Sequence, residues 1–177
     1  MRIAYQGEPG AFSHEACLTF APRWEPVPFE SFAAALAAVR DGRCGRAMLP
    51  VENSLAGPVD GVLALLPDAG LKTLEAFALP IRIMLMALPA APLHALRSAA
   101  SHPVALKQCR RLIAELRLRE IPAFDTAGAA RLLAEDGDRS RGVLASRAAA
   151  ERWGLTVLRS DVHDRADNVT TFTLLEA

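Results

Sequence analysis

A chain of 177 residues with a hydrophobic fraction of 51% and 23% charged residues is long enough to bury a core and too apolar to be disordered. Its 20 basic residues balance its 20 acidic ones without any basic block or stripe, which argues against electrostatic capture of nucleic acid. The most apolar run, Leu79 to Leu88, contains Arg82 and is about half the ~20 residues that a bilayer span needs, so it reads as a buried strand.

Along the chain, short apolar runs alternate with helical patterns, the signature of an α/β protein. Arg2 to Tyr5 is a first strand, followed by a turn at Gly7 and Gly10 and a helix from about Ser13 to Phe20. Ser31 caps a second helix carrying Phe32, Leu36 and Val39, and Gly42 stops it. Arg46 to Val51 is a strand, and Val59, Val62, Leu63 and Leu66 lie on one side of a short helix. Strands follow at Leu71 to Phe77, Leu79 to Leu88 and Leu96 to Ala100. Pro103 opens a helix predicted to continue through Leu106, Cys109, Ile113 and Leu116. Two more strand–helix steps occupy Ile121 to Phe124 with Thr126 to Ala134, then Gly142 to Ala145 with Arg147 to Trp153. Val169 to Leu175 is the last strand.

The chain opens directly into that first strand, with no charged-then-apolar leader ahead of it. Cys17, Cys44 and Cys109 are odd in number, far apart, and lack the spacing of metal ligands. A reduced, cytoplasmic protein without a structural metal is expected. Cys109 shares a helical face with Leu106 and Ile113 and is expected in the core.

Ser13, Asn53 with Ser54, Ser101 with His102, Asp125 with Thr126, and Ser146 all fall where a strand gives way to a helix. In open α/β sheets that edge is where ligands bind, and free helix N–H groups there suit a carboxylate or phosphate. These residue types also prefer such positions simply as helix caps. Spacing alone leaves both readings open.

The segment Tyr5-Gln6-Gly7-Glu8-Pro9-Gly10-Ala11-Phe12-Ser13-His14-Glu15 resembles the opening of prephenate dehydratases. Further resemblances follow in the family's order: Pro50-Val51-Glu52-Asn53-Ser54 with Gly57, Ser101-His102-Pro103, Asp125-Thr126-Ala127, Ala145-Ser146, and Asn168-Val169-Thr170-Thr171-Phe172. Each segment alone is a weak signal, and their order makes the resemblance specific. It implies a two-lobed fold like that of type II periplasmic binding proteins, with the active site in the cleft between the lobes. The first lobe would hold about residues 1–76 and 156–177, and the second about 77–155. A homodimer or larger assembly is implied as well. The family's carboxy-terminal ACT module, which senses phenylalanine, is expected to be absent, since only five residues follow Phe172.

The activity implied is the conversion of prephenate to phenylpyruvate in phenylalanine biosynthesis, with no metal or cofactor. Prephenate carries a carboxylate and a pyruvyl group on one ring carbon and a hydroxyl on the carbon opposite. Loss of carbon dioxide drives electrons through the ring and expels the hydroxyl, so the protein need only hold two carboxylates and hydrogen-bond the departing oxygen. The resemblance assigns Thr170 to the leaving hydroxyl, Asn53 and Ser54 to the site lining, and Glu52 to orienting them or aiding proton transfer. Ser101, Thr126 and Ser146 would donate to substrate oxygens, with Ser13, His102, Thr171 and Phe172 also in contact. His14 and His102 invite a general-acid reading, since histidine is the side-chain type suited to proton transfer near neutral pH, but both lie at helix starts and rank below Thr170.

One position departs from the family pattern. Thr171 stands where the family usually has Arg, the natural bidentate partner for a substrate carboxylate. Arg82 and Lys107 are the candidate replacements. The departure keeps alternatives in view: a prephenate decarboxylase that does not aromatise the ring, a non-catalytic module binding small anions, or the effector domain of a transcription regulator. Retention of Thr170 argues against the first, and the missing leader and basic face argue against the others.

Overall fold

The computed structural model describes residues 1–177. The first part of the chain forms β1 (Arg2–Gln6), α1 (Phe12–Phe20), β2 (Glu25–Phe29), α2 (Phe32–Arg40), β3 (Arg46–Asn53), β4 (Gly57–Pro58), α3 (Asp60–Leu63) and β5 (Lys72–Pro80). It continues as β6 (Met84–Ala87), β7 (Ser98–Ser101), α4 (Pro103–Gln108), α5 (Arg110–Glu115), β8 (Arg119–Pro122), α6 (Thr126–Asp136), β9 (Arg141–Ala145), α7 (Arg147–Trp153), β10 (Thr156–Arg159) and β11 (Val169–Glu176). These elements divide into two compact units. No helix is long and apolar enough to cross a membrane.

The first unit comprises residues 1–8, 12–81 and 167–177. Its sheet has the order β2-β1-β3-β11-β5, with β4 paired to β3. β1 runs parallel to β2 and β3, whereas β11 is antiparallel to both β3 and β5. Ala47, Met48 and Leu49 of β3 are fully buried in the middle of this sheet. Against it packs α2, which starts where Ser31 Oγ accepts the Ala34 N–H at 3.1 Å and buries Ala35, Leu36, Ala38 and Val39. The helix stops at Asp41, where Gly42 takes φ 71°.

The second unit comprises residues 9–11 and 82–166. Its sheet has the order β10-β6-β9-β7-β8, with β7 parallel to β8 and β9 and with β6 antiparallel to β9 and β10. The apolar run read as a buried strand supplies β6, whose four residues are all buried. α6 and α7 cover this sheet with Leu133 and with Ala127, Ala130, Ala149 and Ala150, whose small side chains let helix and sheet approach closely.

Five features depart from the sequence expectations. β2 is a strand that the sequence analysis does not include, and it carries two prolines, Pro26 and Pro28. Glu25 N–H and Phe29 C=O make the hydrogen bonds toward β1, so both proline nitrogens point away from the ladder, and β2 tolerates them as an edge strand. The helix begun at Pro103 breaks at Cys109 (φ −124°, ψ 29°), where Asp164 accepts from Arg110 and Arg111 N–H at 3.0 and 3.2 Å and restarts it as α5. The pair of strands placed at 71–77 and 79–88 divides at Ile81 to Ile83 instead. The chain passes between units at 81–82 and 166–167, later than the boundaries at 76–77 and 155–156 that were expected. β5 continues to Pro80 because it stays paired with β11, and the unanticipated β10 pairs with β6.

Candidate active site

In the first unit, parallel β1 and β3 end at the same sheet edge where antiparallel β11 begins. Ser13, in the first turn of α1 and only 8% exposed, follows β1 there. Asn53 ends β3 with Ser54 directly after it, and Thr170 stands opposite Asn53 on β11. His14 stacks on Tyr5 with ring centroids 5.3 Å apart.

Asn53 organises this edge. Its Nδ2 donates to Asn168 Oδ1 and Thr170 Oγ1, both at 2.9 Å, and lies 3.2 Å from Val169 O. Its Oδ1 accepts the N–H groups of Leu55 and Ala56 at 3.0 and 2.9 Å, so the amide cannot flip without losing bonds at both ends. Ser54 Oγ donates to Asp167 O at 2.7 Å and accepts Val169 N–H at 2.9 Å, which fixes the start of β11. Thr170 is 8% exposed. Because Asn53 occupies an acceptor position on Thr170 Oγ1, the hydroxyl proton is left to be donated.

A bulge decides which side chain faces Thr170. Phe172 pairs with Pro50, but Thr171 pairs with Glu52 and Thr170 with Asn53, so Val51 is an extra residue on β3. Were Val51 paired in the ladder opposite Thr171, with no bulge, Glu52 would stand opposite Thr170. Glu52 is instead exposed beside half-buried Thr171 and forms no hydrogen bond with Asn53 or Ser54. The orienting contact expected from Glu52 is supplied by Asn168, which is 1% exposed. Sequence reasoning quoted Asn168 in a motif without giving it a role; a polar residue two positions before the reactive Thr on a central strand was the available signal. Phe172 is 1% exposed and belongs to the core rather than to a binding surface.

In the second unit, β7, β8 and β9 are parallel neighbours, so Ser101, Thr126 and Ser146 share one sheet edge. Two of the three hydroxyl protons expected to reach substrate are committed inside the fold. Ser101 Oγ donates to Leu144 O at 2.5 Å, and Ser146 Oγ donates to Gly10 O at 2.5 Å while accepting Ala149 N–H at 3.0 Å. Both serines are fully buried. Half-buried Thr126 has an uncommitted hydroxyl, since Asp125 caps α6 through Gly128 N–H. His102 Nδ1 caps α4 by accepting Val104 N–H at 3.2 Å. Gly10 is no ordinary turn residue: at φ 97°, a Cβ there would lie 2.7 Å from Ala149 Cα.

Of the replacement cations considered for Thr171, Arg82 is matched with Asp161 at 3.7 Å and Lys107 is an exposed residue of α4. No group of three or more His, Cys, Asp or Glu side chains is arranged to hold a metal ion. Burial pushes the Cys17 and Cys109 thiols up to about 12, Cys109 with some help from Asp164, so neither is a ready nucleophile. What the edges can do is donate hydrogen bonds to oxygen atoms from fixed positions.

A family model described as prephenate dehydratase matches residues 3–177. A bifunctional N-acyl-homoserine lactone acylase/prephenate dehydratase of Komagataeibacter europaeus is 44% identical over 96% of this chain and 60% of its own length. Arogenate dehydratase 2 of Petunia hybrida is 40% identical over 99% of this chain and 44% of its own length. The chain thus spans roughly half the length of these curated relatives. Among solved structures, GqqA, described as a quorum quenching acylase, superposes with a TM-score of 0.93 at 43% identity, over 99% of this chain and 64% of that one. The prephenate dehydratase of Arthrobacter aurescens, solved with L-Phe, gives 0.91 at 28% identity over 99% and 60%. A periplasmic substrate-binding protein from Coxiella burnetii, with a TM-score of 0.52 at 12% identity over 99% and 84%, shares the fold alone.

Proposed function

The chain belongs to the prephenate dehydratase family, and on that premise we propose that it converts prephenate to phenylpyruvate, carbon dioxide and water. The observation that carries this reading is the Thr170 hydroxyl, held at 2.9 Å by Asn53 Nδ2 with its own proton free to donate. As the carbon–carboxylate bond breaks, its electron pair enters the ring, the ring becomes aromatic, and the opposite carbon–oxygen bond breaks. One proton must reach the departing oxygen so that it leaves as water. A Thr hydroxyl is too weak an acid to give up its proton outright. Thr170 therefore hydrogen-bonds the departing oxygen as negative charge grows on it and relays a proton from water. Burial of Thr170 raises the value of that bond by keeping the local dielectric low.

Asn53, Asn168 and Ser54 act as positioning residues in this reading, because each fixes β11 or Thr170 itself. Ser13 and Thr126 are the hydroxyls that remain for substrate oxygens. We assign the reaction to aromatic amino-acid biosynthesis, in a cytoplasmic homo-oligomer. The test is to mix purified protein with prephenate, without added metal or cofactor, and read phenylpyruvate enolate absorbance in alkali. A non-aromatic keto acid as product would identify a decarboxylase, and tight binding with no product a binding module.

The names of two relatives set the parallel assays. Arogenate in place of prephenate tests the activity named for the petunia relative. An N-acyl-homoserine lactone tests the second activity named for the Komagataeibacter relative.

A further inference from the structure

In the first unit, α1 brings an uncapped helix start to the sheet face that carries Thr170. Phe20, at the far end of α1, stacks on Phe77 of β5 with ring centroids 4.6 Å apart. Phe77 pairs with Phe172 of β11, so α1 covers the face into which Phe172 points. Thr170, two residues earlier on the same strand, points the same way. From that stack toward the edge where β11 begins, Ser13 lies about 10 Å away by helix rise and Thr170 about 7 Å by strand rise. The first turn of α1 and the Thr170 hydroxyl therefore reach about the same level.

The donors of that turn are free. Ala11, ahead of Phe12, has no side chain with which to cap the helix. The Phe12 and Ser13 N–H groups lack intrahelical acceptors by position, and no other protein group takes them. Ser13 Oγ has no partner either, although Ser13 is only 8% exposed. It is not sealed in the fold: the enclosed side-chain atoms without a partner are Arg46 Nε, Arg141 Nε and Trp153 Nε1. Beside it, His14 is stacked on Tyr5 and Glu15 is engaged. Buried polar groups are nearly always paired, and N–H groups with a hydroxyl at a helix start suit an oxyanion. No cation of this unit competes for one. Its Lys and Arg residues, Arg2, Arg23, Arg40, Arg43, Arg46 and Lys72, all stand toward the opposite edge of the sheet.

We infer that the first turn of α1 holds the pyruvyl carboxylate of the substrate, with Phe12 N–H, Ser13 N–H and Ser13 Oγ as donors. The inference rests on the reaction proposed above, and the chemistry chooses between the two carboxylates. The one on the ring must pass its charge into the ring as carbon dioxide leaves, and donors fixed on it would hold that charge back. The pyruvyl carboxylate keeps its charge from substrate to product. Donors on it bind ground state and transition state alike, which sets KM and leaves kcat alone.

Wild type, Ser13→Ala and Ser13→Thr are compared by prephenate kinetics and by calorimetry with two ligands. These are phenylpyruvate and phenylacetone, the same ketone with a methyl in place of the carboxylate. Ser13→Ala is expected to raise KM and the phenylpyruvate Kd about tenfold, the effect of losing a hydrogen bond to a charged group. Its kcat should stay within a few-fold of wild type, its phenylacetone binding should not change, and Ser13→Thr should restore most of the loss. Amide NMR shifts of Phe12 and Ser13 on addition of phenylpyruvate, and not of phenylacetone, give the same reading without a substitution. An active wild type that binds phenylpyruvate no better than phenylacetone, or leaves those amides unmoved, overturns the inference and leaves the reaction standing. A wild type with no turnover overturns the reaction, and the preference for phenylpyruvate with its amide shifts still decides for or against the carboxylate site.

Discussion

Thr170 faces Asn53, rather than Glu52, because Val51 is an extra residue in β3. A bulge of this kind re-aims a side chain at a cost in ladder hydrogen bonds, and such features recur beside active sites. Here it exchanges a carboxylate for an amide as the neighbour of the reactive hydroxyl. An amide can donate to Thr170 Oγ1; an ionised carboxylate would accept its proton and remove it from the chemistry.

Thr170→Ala is accordingly expected to lower kcat by roughly 10²–10³ with a much smaller change in KM, because the lost hydrogen bond strengthens only in the transition state. Thr170→Ser keeps the hydroxyl and should retain most of the rate. Steady-state kinetics on prephenate checks both, and an unchanged kcat in the Ala variant removes Thr170 from the mechanism.

Glu52→Gln should leave kcat within a few-fold of wild type, since the side chain is exposed and bonds neither Asn53 nor Ser54. If Glu52→Gln were as damaging as Thr170→Ala, Glu52 would itself be moving the proton.

Thr171→Arg should leave the chain folded, as Thr171 is half-buried at the outer end of β11. The new guanidinium should lower KM for prephenate, and more so when combined with Glu52→Gln, because Glu52 is its cross-strand neighbour and competes for it. A higher KM in both variants would mean that a carboxylate is not bound near this position.

Ser146→Ala and Gly10→Ala should act through stability. The first removes a cap on α7 and the hydrogen bond that Ser146 donates to the Gly10 carbonyl, at a cost of about 1–3 kcal/mol. The second forces a Cβ to within 2.7 Å of a backbone atom at positive φ, with nothing flexible to yield, and should cost more. Urea unfolding of the two variants measures the ranking.

Cys17 and Cys109 give a pH signature. Burial raises both thiols to about 12, whereas an unfolded thiol ionises near ~8.5. With the folded value raised, their contribution to stability is full below about 8.5 and is lost progressively as pH rises toward 12. Urea midpoints should therefore fall in that alkaline window, and a Cys17→Ala/Cys109→Ala variant should show a shallower fall. Iodoacetamide at pH 8.5 should label neither thiol until the chain is unfolded.

Local chemistry carried most of the architecture. The apolar runs that became β1, β3, β6, β7 and β11, the caps at Ser31, Asp125 and Ser146, and the positions of Asn53 and Thr170 near strand ends were all legible. They depend on periodicity and on side chains bonding backbone groups within three or four residues. The edge strand β2, the restart of α5 on Asp164, and β10 were not legible, since each depends on a partner distant in the chain.

The candidate residues divide along the same line. By itself, the sequence determined which hydroxyls and amides stand at strand ends, because residue type and local pattern place them there. Only the tertiary structure decided which of those groups remain free to act. A proton on Ser101 or Ser146 is committed by a carbonyl that comes from another strand or from a turn 136 residues away, and Asn53 meets Thr170 through a bulge that no residue pattern announces.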